Sequence, residues 1–314
     1  YILLIMIMST RNFISLGIMT GTSLDGLDIS IIKSDGINNL AFLDGISYSF
    51  NDEMRESLHS ILGAKKRDSI IDLIESNYTN FIIKKMKQFL LNKRYSIDLI
   101  GFHGQTIFHK PNEGISWQIG DAKKISNFFK KKIIYDFRSN DIKNGGNGAP
   151  LTPIYHKLLK KKLNFDNVAF INLGGISNAT IIINNQMKSF DCGPCCSISD
   201  EFVKSKINKN FDYNGKFALK GKVNKKIIRE ILKNNFFRVM SPKSLDRLDI
   251  TNEIFLQLNI FDGLSTINSF IAESIFLSLN NCSNNINKII LLGGGRKNLD
   301  LVKKIKNKFI SSLV

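Results

Sequence analysis

A carboxylate stands at Asp191, where an apolar strand ending in Phe190 gives way to the tight turn Cys192-Gly193-Pro194. Upstream, the apolar run 168–173 ends in a second turn, Gly174-Gly175. A strand-end carboxylate in reach of a glycine turn that can hold phosphate is a catalytic layout. An Asx-turn or helix N-cap is the competing role for an Asp before Gly-Pro. Another polar turn lies in FISLGIMTGTSLDGLDISII (13–32). Gly21 and Gly26 allow close backbone approach there, Thr20, Thr22 and Ser23 offer hydroxyls, and Asp25 and Asp28 offer carboxylates. Backbone N–H groups and hydroxyls cradle phosphate, and a carboxylate such as Asp25 can hold a magnesium-bound water. No Gly-Lys-Ser/Thr follows, so the segment is not a Walker loop, and alone it is equally an ordinary polar hairpin turn.

Three further clusters carry polar chemistry. His103-Gly104-Gln105-Thr106 follows a short buried run, and the carboxyl end of a strand is where open α/β sheets bind ligands. His103 is as readily a satisfied turn histidine as an acid or base. Arg138, after the apolar run 133–137, can grip an anionic oxygen with its forked donors or form a surface ion pair. Gly293-Gly294-Gly295, before Arg296-Lys297-Asn298, can lie flat against a base and ribose or be a mere loop.

Regular elements must position these groups. Two apolar strands flank the turn at 21–26 in a hairpin, 41–50 reads as a third strand, and 97–102 and 133–137 as further strands. Helices are expected over 51–62, stopped by Gly63, and over 69–91, with a core stripe through Ile70, Leu73, Ile74, Phe81 and Ile82. SWQIGD (116–121) reads as a strand and turn before a helix at 122–129. GGNGAP (145–150) is the strongest breaker, which sets the expected domains at 1–150 and 151–314. The second half repeats the plan: a helix at 152–163, strands at 168–173, 179–183 and up to Asp191, helices at 197–206, 224–233 and 264–280, a strand at 289–292 and a last helix. The fold class is α/β in two domains, each opening with a strand, a small-residue turn and a second strand.

The chain has 314 residues, 43% hydrophobic, and carries a formal net charge of +17. Its lysines lie in short clusters that alternate with apolar residues, as solvated helix faces do, and no nucleic-acid-binding signature accompanies them. Nucleic acid is therefore not an expected partner. Four cysteines, three of them at Cys192, Cys195 and Cys196, are too few for a disulfide framework in this length and lack a second zinc-ligand pair. They read as metal-free thiols of a reducing cytoplasm. The apolar run Tyr1 to Met8 is too short to span a bilayer and reads as translated upstream sequence, with Met6 or Met8 as the start. No other segment is expected to cross a membrane. Oligomeric state stays open, a homodimer included.

The motifs MTGTSLDGLD, GFHGQTIFHKP, WQIGD, DFRSNDIKNGGNGAPLTPIYH, INLGGISN, FDCGP, SPKSLDR, DGLSTINSF and GGGRKN follow one another in register. From about Phe13 to the C-terminus, the chain resembles the anhydro-N-acetylmuramic acid kinases of the actin, Hsp70 and sugar-kinase superfamily. The resemblance implies a ribonuclease H-like pair of domains around an interdomain cleft. It also implies conversion of 1,6-anhydro-N-acetylmuramic acid, ATP and water into N-acetylmuramic acid 6-phosphate and ADP in peptidoglycan recycling. By that resemblance Gly21, Thr22, Ser23, Leu24, Asp25, Gly26, Leu27 and Asp28 form the ATP phosphate segment, joined by Gly174, Gly175, Gly293, Gly294 and Gly295. Asp25 is then the magnesium contact, Asp191 matches the catalytic aspartate, and Arg138, Gln105 and Thr106 are expected on the sugar.

Three departures accompany it. The family usually reads Asp-Thr-Gly-Pro-Gly-Asn where this chain has Asp191-Cys192-Gly193-Pro194-Cys195-Cys196, so that Cys195 is expected to deny the backbone a positive φ. The family's proteins usually continue past the GGGRKN helix, whereas the sequence ends at Val314, which predicts weak turnover. The start at Tyr1 suggests an inexact gene boundary. A degenerate nucleotide-binding protein without turnover is the alternative these departures raise.

Overall fold

In the segment Phe13–Thr20 (β1) the side chains of Leu16, Ile18 and Thr20 are buried, as period-two alternation requires. The computed structural model describes residues 11–309 apart from 22–23, 185, 240–244, 246–249 and 284. The run Tyr1 to Met8, the hydroxyls of Thr22 and Ser23, and all of SPKSLDR except Leu245 lie outside the described residues. The chain divides after Ile154, a little beyond the GGNGAP stretch, into two compact units.

In the first unit β1 forms an antiparallel hairpin with Gly26–Ser34 (β2), which pairs in turn with Leu40–Ser49 (β3). On its other side β1 runs parallel to Leu99–Phe102 (β4), and β4 to Lys132–Tyr135 (β7), so the five-stranded sheet has the order β3-β2-β1-β4-β7. Helix α1 (Asp52–Ser60) starts at Asn51, and α2 (Ser69–Leu90) at Asp68, each cap accepting a backbone N–H in the first turn. The buried face of α2 is Ile71, Ile74, Tyr78, Ile82, Met86 and Phe89. Ile70 and Leu73, assigned to the core stripe from the sequence, are 62% and 63% exposed. The apolar run at the helix start is wider than the face that packs, and its outer residues face water. GFHGQT holds an element the sequence reading missed: Gln105–Lys110 (β5) begins directly after β4 and pairs with Ile115–Ile119 (β6). Gly104, at φ +77°, makes the reversal, and a Cβ there would lie 2.7 Å from the Ile119 carbonyl oxygen. Helix α3 (Ala122–Phe129) follows, and after β7 the short helix α4 (Ser139–Lys143).

The second unit begins inside α5 (Pro153–Lys162). Its sheet is ordered β10-β9-β8-β11, from Val168–Leu173 (β8), Ile176–Ile183 (β9), Gln186–Pro194 (β10) and Lys288–Leu292 (β11). Strand β9 is antiparallel to β8 and β10, and β11 is parallel to β8. The order 3-2-1-4 with an antiparallel second strand thus occurs in both units, so the second half repeats the plan of the first. Both faces of this second sheet are covered, which is why β8 is an almost continuous apolar run. Ala169, Ile171 and Leu173 join the main core with α6 (Cys196–Ile207), α7 (Lys225–Ile231), α8 (Ile260–Asn280) and α9 (Leu299–Lys308). Val168, Phe170 and Ile182 pack on the other face with Leu159 of α5. Helix α8 corrects one expectation: by length and composition it could cross a membrane, yet most of it is buried as a core helix of this unit.

Candidate active site

In the first unit the ends of β1, β3, β4 and β7 and the start of β2 share one edge of the sheet, as the pairings Thr20↔Leu27, Gly26↔Ser49 and Phe102↔Tyr135 require. The turn after β1 is braced through its carbonyl groups. Gly21 O accepts from Leu24 N (3.2 Å) and Gln105 Nε2 (3.3 Å), Leu24 O from Arg55 Nε (3.2 Å), and Asp25 O from Phe50 N (3.1 Å). Leu24 takes the left-handed conformation, and its side chain, like that of Leu27, is buried, so only their backbones can meet a ligand. A Cβ on Gly26 would collide with the Tyr48 carbonyl oxygen, so that glycine serves the β2–β3 pairing. Asp28 points outward on β2 and accepts from Ser47 Oγ across the strands, away from the turn. Asp25 is exposed.

His103 and Arg138 meet at the same edge. Arg138 Nε and Nη2 both donate to His103 Nε2 (3.0 and 2.8 Å), while Nη1 donates to Gly148 O (2.6 Å). Arginine only donates, so His103 Nε2 accepts and Nδ1 carries the proton it gives to Gly104 O (2.7 Å). Burial, with the Arg138 cation adding to it, brings the imidazole pKa from 6.5 to about 4. His103 is therefore a neutral acceptor at physiological pH. Arg138 follows Asp136, which turns at φ +56° one residue past β7, and opens α4 instead of ending a strand.

Gln105 is fully buried; its Nε2 also donates to Thr106 O (3.1 Å), and Thr106 Oγ1 accepts from Gln118 Nε2 (3.2 Å). Beside these residues lies a cavity of about 270 Å³, lined by His103, Ser116, Trp117, Gln118, Tyr135 and Asp136 among others. Its floor is the IGD turn, where Gly120 N donates to Glu75 Oε1 (2.7 Å) and Asp121 N to Thr79 Oγ1 (3.0 Å). Gly120, at φ +128°, packs against the Phe102 and Tyr78 rings where a Cβ could not fit. Of these wall residues the sequence reading singled out only His103, because Ser116 to Gln118 were read for their strand pattern.

In the second unit the Gly174-Gly175 turn, the end of β10 and the end of β11 share one sheet edge, through the pairings Leu173↔Ser177, Pro194↔Ile176 and Leu292↔Asn172. Here the start of α6 braces the turn. Gly175 O accepts from Cys195 N (2.8 Å), Ser197 N (3.2 Å) and Ser197 Oγ (2.8 Å), and Gly174 O from Cys196 N (2.9 Å). Asp191 lies at a β-bulge between Asp191 and Gly193. Its Oδ2 accepts from Leu245 N (3.0 Å), and burial raises its pKa against the lowering by that amide. In register with it across the strands stand Asn178 and Asn172, a polar row on one face of a largely apolar sheet. The row was visible only as scattered letters in INLGGISN. Asn172 also lies between two glycine turns: a Cβ on Gly174 would be 3.2 Å from its Nδ2, and one on Gly293 2.5 Å from its Oδ1.

The glycines here divide by need. Gly293 (φ +80°) and Gly295 are packed, the latter with Leu173 Cβ and Cys196 Sγ within 3 Å of where a Cβ would sit. Gly174, Gly175 and Gly294 have no positive φ and no Cβ contact under 3.0 Å, so the chain's own packing does not require them; space is open at Gly294, and Gly175 meets only Ser197 Cβ at 3.7 Å. That is the form of a cradle a side chain would fill, and it fits a phosphate. The expected conflict at Cys195 does not arise. Its φ is −137°, and the positive φ of this turn falls on Gly193, at +147°. Cys192 and Cys195 are buried and outside any disulfide, and hydrogen bonding to Cys196, together with burial, pushes the Cys195 thiol pKa up.

The family model for anhydro-N-acetylmuramic acid kinase matches residues 13–314. The anhydro-N-acetylmuramic acid kinase of Pelagibacter ubique is 40% identical over 313 residues, covering 94% of this chain and 83% of that protein. That of Zymomonas mobilis is 37% identical over 306 residues, covering 93% and 84%. Among solved structures, a ROK family glucokinase from Streptomyces griseus, in complex with glucose and AMPPNP, covers 97% of this chain and 90% of that one at 12% identity and a TM-score of 0.40. An activator of 2-hydroxyisocaproyl-CoA dehydratase from Clostridium difficile, with bound ADPNP, reaches 0.41 at 11% identity, covering 97% and 88%. Likeness at that level carries no argument about the site. The family model and the relatives show that the chain belongs to the anhydro-N-acetylmuramic acid kinase family, a family of phosphotransferases.

Proposed function

We propose that the protein uses ATP and water to open the anhydro bridge of 1,6-anhydro-N-acetylmuramic acid and to phosphorylate O6, releasing N-acetylmuramic acid 6-phosphate and ADP in cytoplasmic cell-wall recycling. The observation that carries the reading is Asp191: a half-buried carboxylate at a strand bulge, held by one backbone amide, at the sheet edge that also bears the open Gly174-Gly175 turn. Asp191 takes a proton from the water that attacks the anomeric carbon. As that carbon's bond to O6 breaks, its electron pair stays on O6, which is then able to accept a phosphoryl group. Proton removal of this kind is worth ~10²–10⁴-fold.

ATP would supply the phosphoryl group, and Asp25 would hold a magnesium ion through water, which would neutralise phosphate charge. Of the described residues, Gly21, Leu24, Asp25 and Gly26 and the pair Gly174-Gly175 are assigned to the phosphates through their backbones, Gly294 to the nucleoside, and Arg138, Gln105 and Thr106 to the sugar. Positioning by these groups contributes more than any single proton transfer. The test is sugar-dependent ADP release. Wild-type protein should release ADP only when the anhydro sugar is present, and Asp191→Asn should cut kcat by ~10²-fold or more while ATP still binds. Asparagine caps and turns about as well as aspartate. Near-wild-type turnover in Asp191→Asn would therefore remove Asp191 from the reaction, and no sugar dependence in the wild type would sink the proposal.

A further inference from the structure

We infer that His103 is a positioning residue: its neutral imidazole holds Arg138 so that the guanidinium presents two N–H groups to the carboxylate of the sugar-acid substrate. The inference rests on the function proposed above and goes beyond it in naming what reads the acid group and what aims the reader.

A guanidinium has five N–H donors. Three are used inside the unit, Nε and Nη2 on His103 Nε2 and Nη1 on Gly148 O. Because His103 takes the side-on pair, one N–H on each terminal nitrogen is left at the end of the fork. That end is where a carboxylate docks with two parallel hydrogen bonds. Both partners that fix the arginine are uncharged, and among the described residues no carboxylate lies within ion-pair distance of it. The positive charge is thus held partly out of water and left for something else to balance. Five other cations of this unit, Arg11, Arg55, Arg67, Lys93 and Lys110, pair with carboxylates.

The choice of a histidine follows from the chemistry of the post. A carboxylate at position 103 would hold the fork as well but neutralise it. An imidazole accepts without adding charge, provided its proton sits on Nδ1, and Gly104 O holds it there. His103 also lines the cavity of about 270 Å³, whose other walls supply the neutral Ser116, Trp117 and Gln118. Asp136 is the acidic wall, and its Oδ1 accepts from Ser139 N and Oγ.

The experiment compares turnover of the sugar acid with turnover of its methyl ester, which has the same shape without the charge. The wild type should prefer the acid by roughly 10- to 100-fold in kcat/KM, the worth of a charge-assisted bidentate contact. In His103→Phe, which keeps a ring but offers no acceptor, that preference should collapse through KM for the acid, with KM for ATP unchanged. In His103→Gln, whose amide oxygen can take the place of Nε2, much of the preference should return. A His103→Phe protein that keeps the wild-type preference would overturn the inference. Should that variant not fold, the ¹⁵N shifts of the His103 imidazole in the wild type decide, since an Nε2–H tautomer or a doubly protonated ring near pH 7 overturns it equally. If the wild type turns over neither acid nor ester, the proposed function fails instead, and the ¹⁵N shifts still decide the part of His103.

Discussion

The two glycine turns occupy equivalent places in equivalent sheets, yet they are held by opposite means. The turn after β1 has its carbonyl groups taken from a distance, by Gln105 of β5, Arg55 of α1 and the amide of Phe50. The turn after β8 has its carbonyl groups taken by amides at residues 195–197, immediately after the strand that bears Asp191. The first turn is thus held half by side chains of β5 and α1 and half by the amides of Leu24 and Phe50. The second is locked to the join between the strand that bears Asp191 and α6, so the geometry of the turn and of the carboxylate is one local problem. A repeated topology fixes where a turn stands, and the chain around it decides what the turn is coupled to.

The largest expected effect tests a likeness between the units. Each buries one neutral histidine: His103, and His156, which stacks on Phe170 at 4.6 Å with rings 8° from parallel. Burial brings both pKa values from 6.5 to about 4. Both folded-state values lie below the unfolded one, so between pH 6.5 and about 4 the unfolded chain binds more protons and stability falls as pH falls. Each histidine should contribute about 3 kcal/mol across that window. Urea midpoints at pH 6.5 and 4.5 measure the loss, and His156→Phe should remove the second unit's share alone.

Next come the glycines. Gly26→Ala, which drives a Cβ into the Tyr48 carbonyl, should cost about 3 kcal/mol of stability in thermal unfolding, as overpacking against backbone does. Gly175→Ala meets only Ser197 Cβ at 3.7 Å. It should leave the Tm nearly unchanged and weaken ATP binding about tenfold by calorimetry, ~1.4 kcal/mol. If Gly26→Ala were the one that spared stability and lost nucleotide, the division between structural and open glycines would be reversed. Smallest is Ser197→Ala. It removes one of three hydrogen bonds to Gly175 O and should cost about 1 kcal/mol in denaturant unfolding, with kcat falling further than stability alone explains because the turn and Asp191 share this support.

Much of this was legible in the residues. The hairpin around Gly21 and the strand ends at Phe102, Leu173 and Leu292 follow from local pattern and turn chemistry, whereas Asn51, read as the first residue of a helix, is its cap. The misses have physical reasons. Strand β5 was hidden because Gly104 reverses the chain within HGQT, leaving no loop long enough to announce a new element. The α2 stripe was misread because a helix start rich in isoleucine does not say which of its apolar residues faces the sheet. Asp28 looked like part of the phosphate turn in sequence, but strand alternation turns it outward to Ser47. The row Asn172-Asn178-Asp191 could not be read at all, since it exists only once three strands are in register. His103 was seen and left undecided, and its role needed the arginine that lies 35 residues away.

Helix α8 has a consequence at the ribosome. A chain grows from its N-terminus, so α8 is complete before β11 and α9, against which its unit is finished, have been made. By length and composition alone that segment could enter a bilayer, and only its place in the core of the folded unit covers it. Its buried Ser265, Thr266, Asn268, Ser274 and Ser278 then have a second use beyond their hydrogen bonds in the folded unit. Their polarity lowers the helix's affinity for lipid, so replacing them with leucine would raise its tendency to enter a bilayer as well as remove those hydrogen bonds.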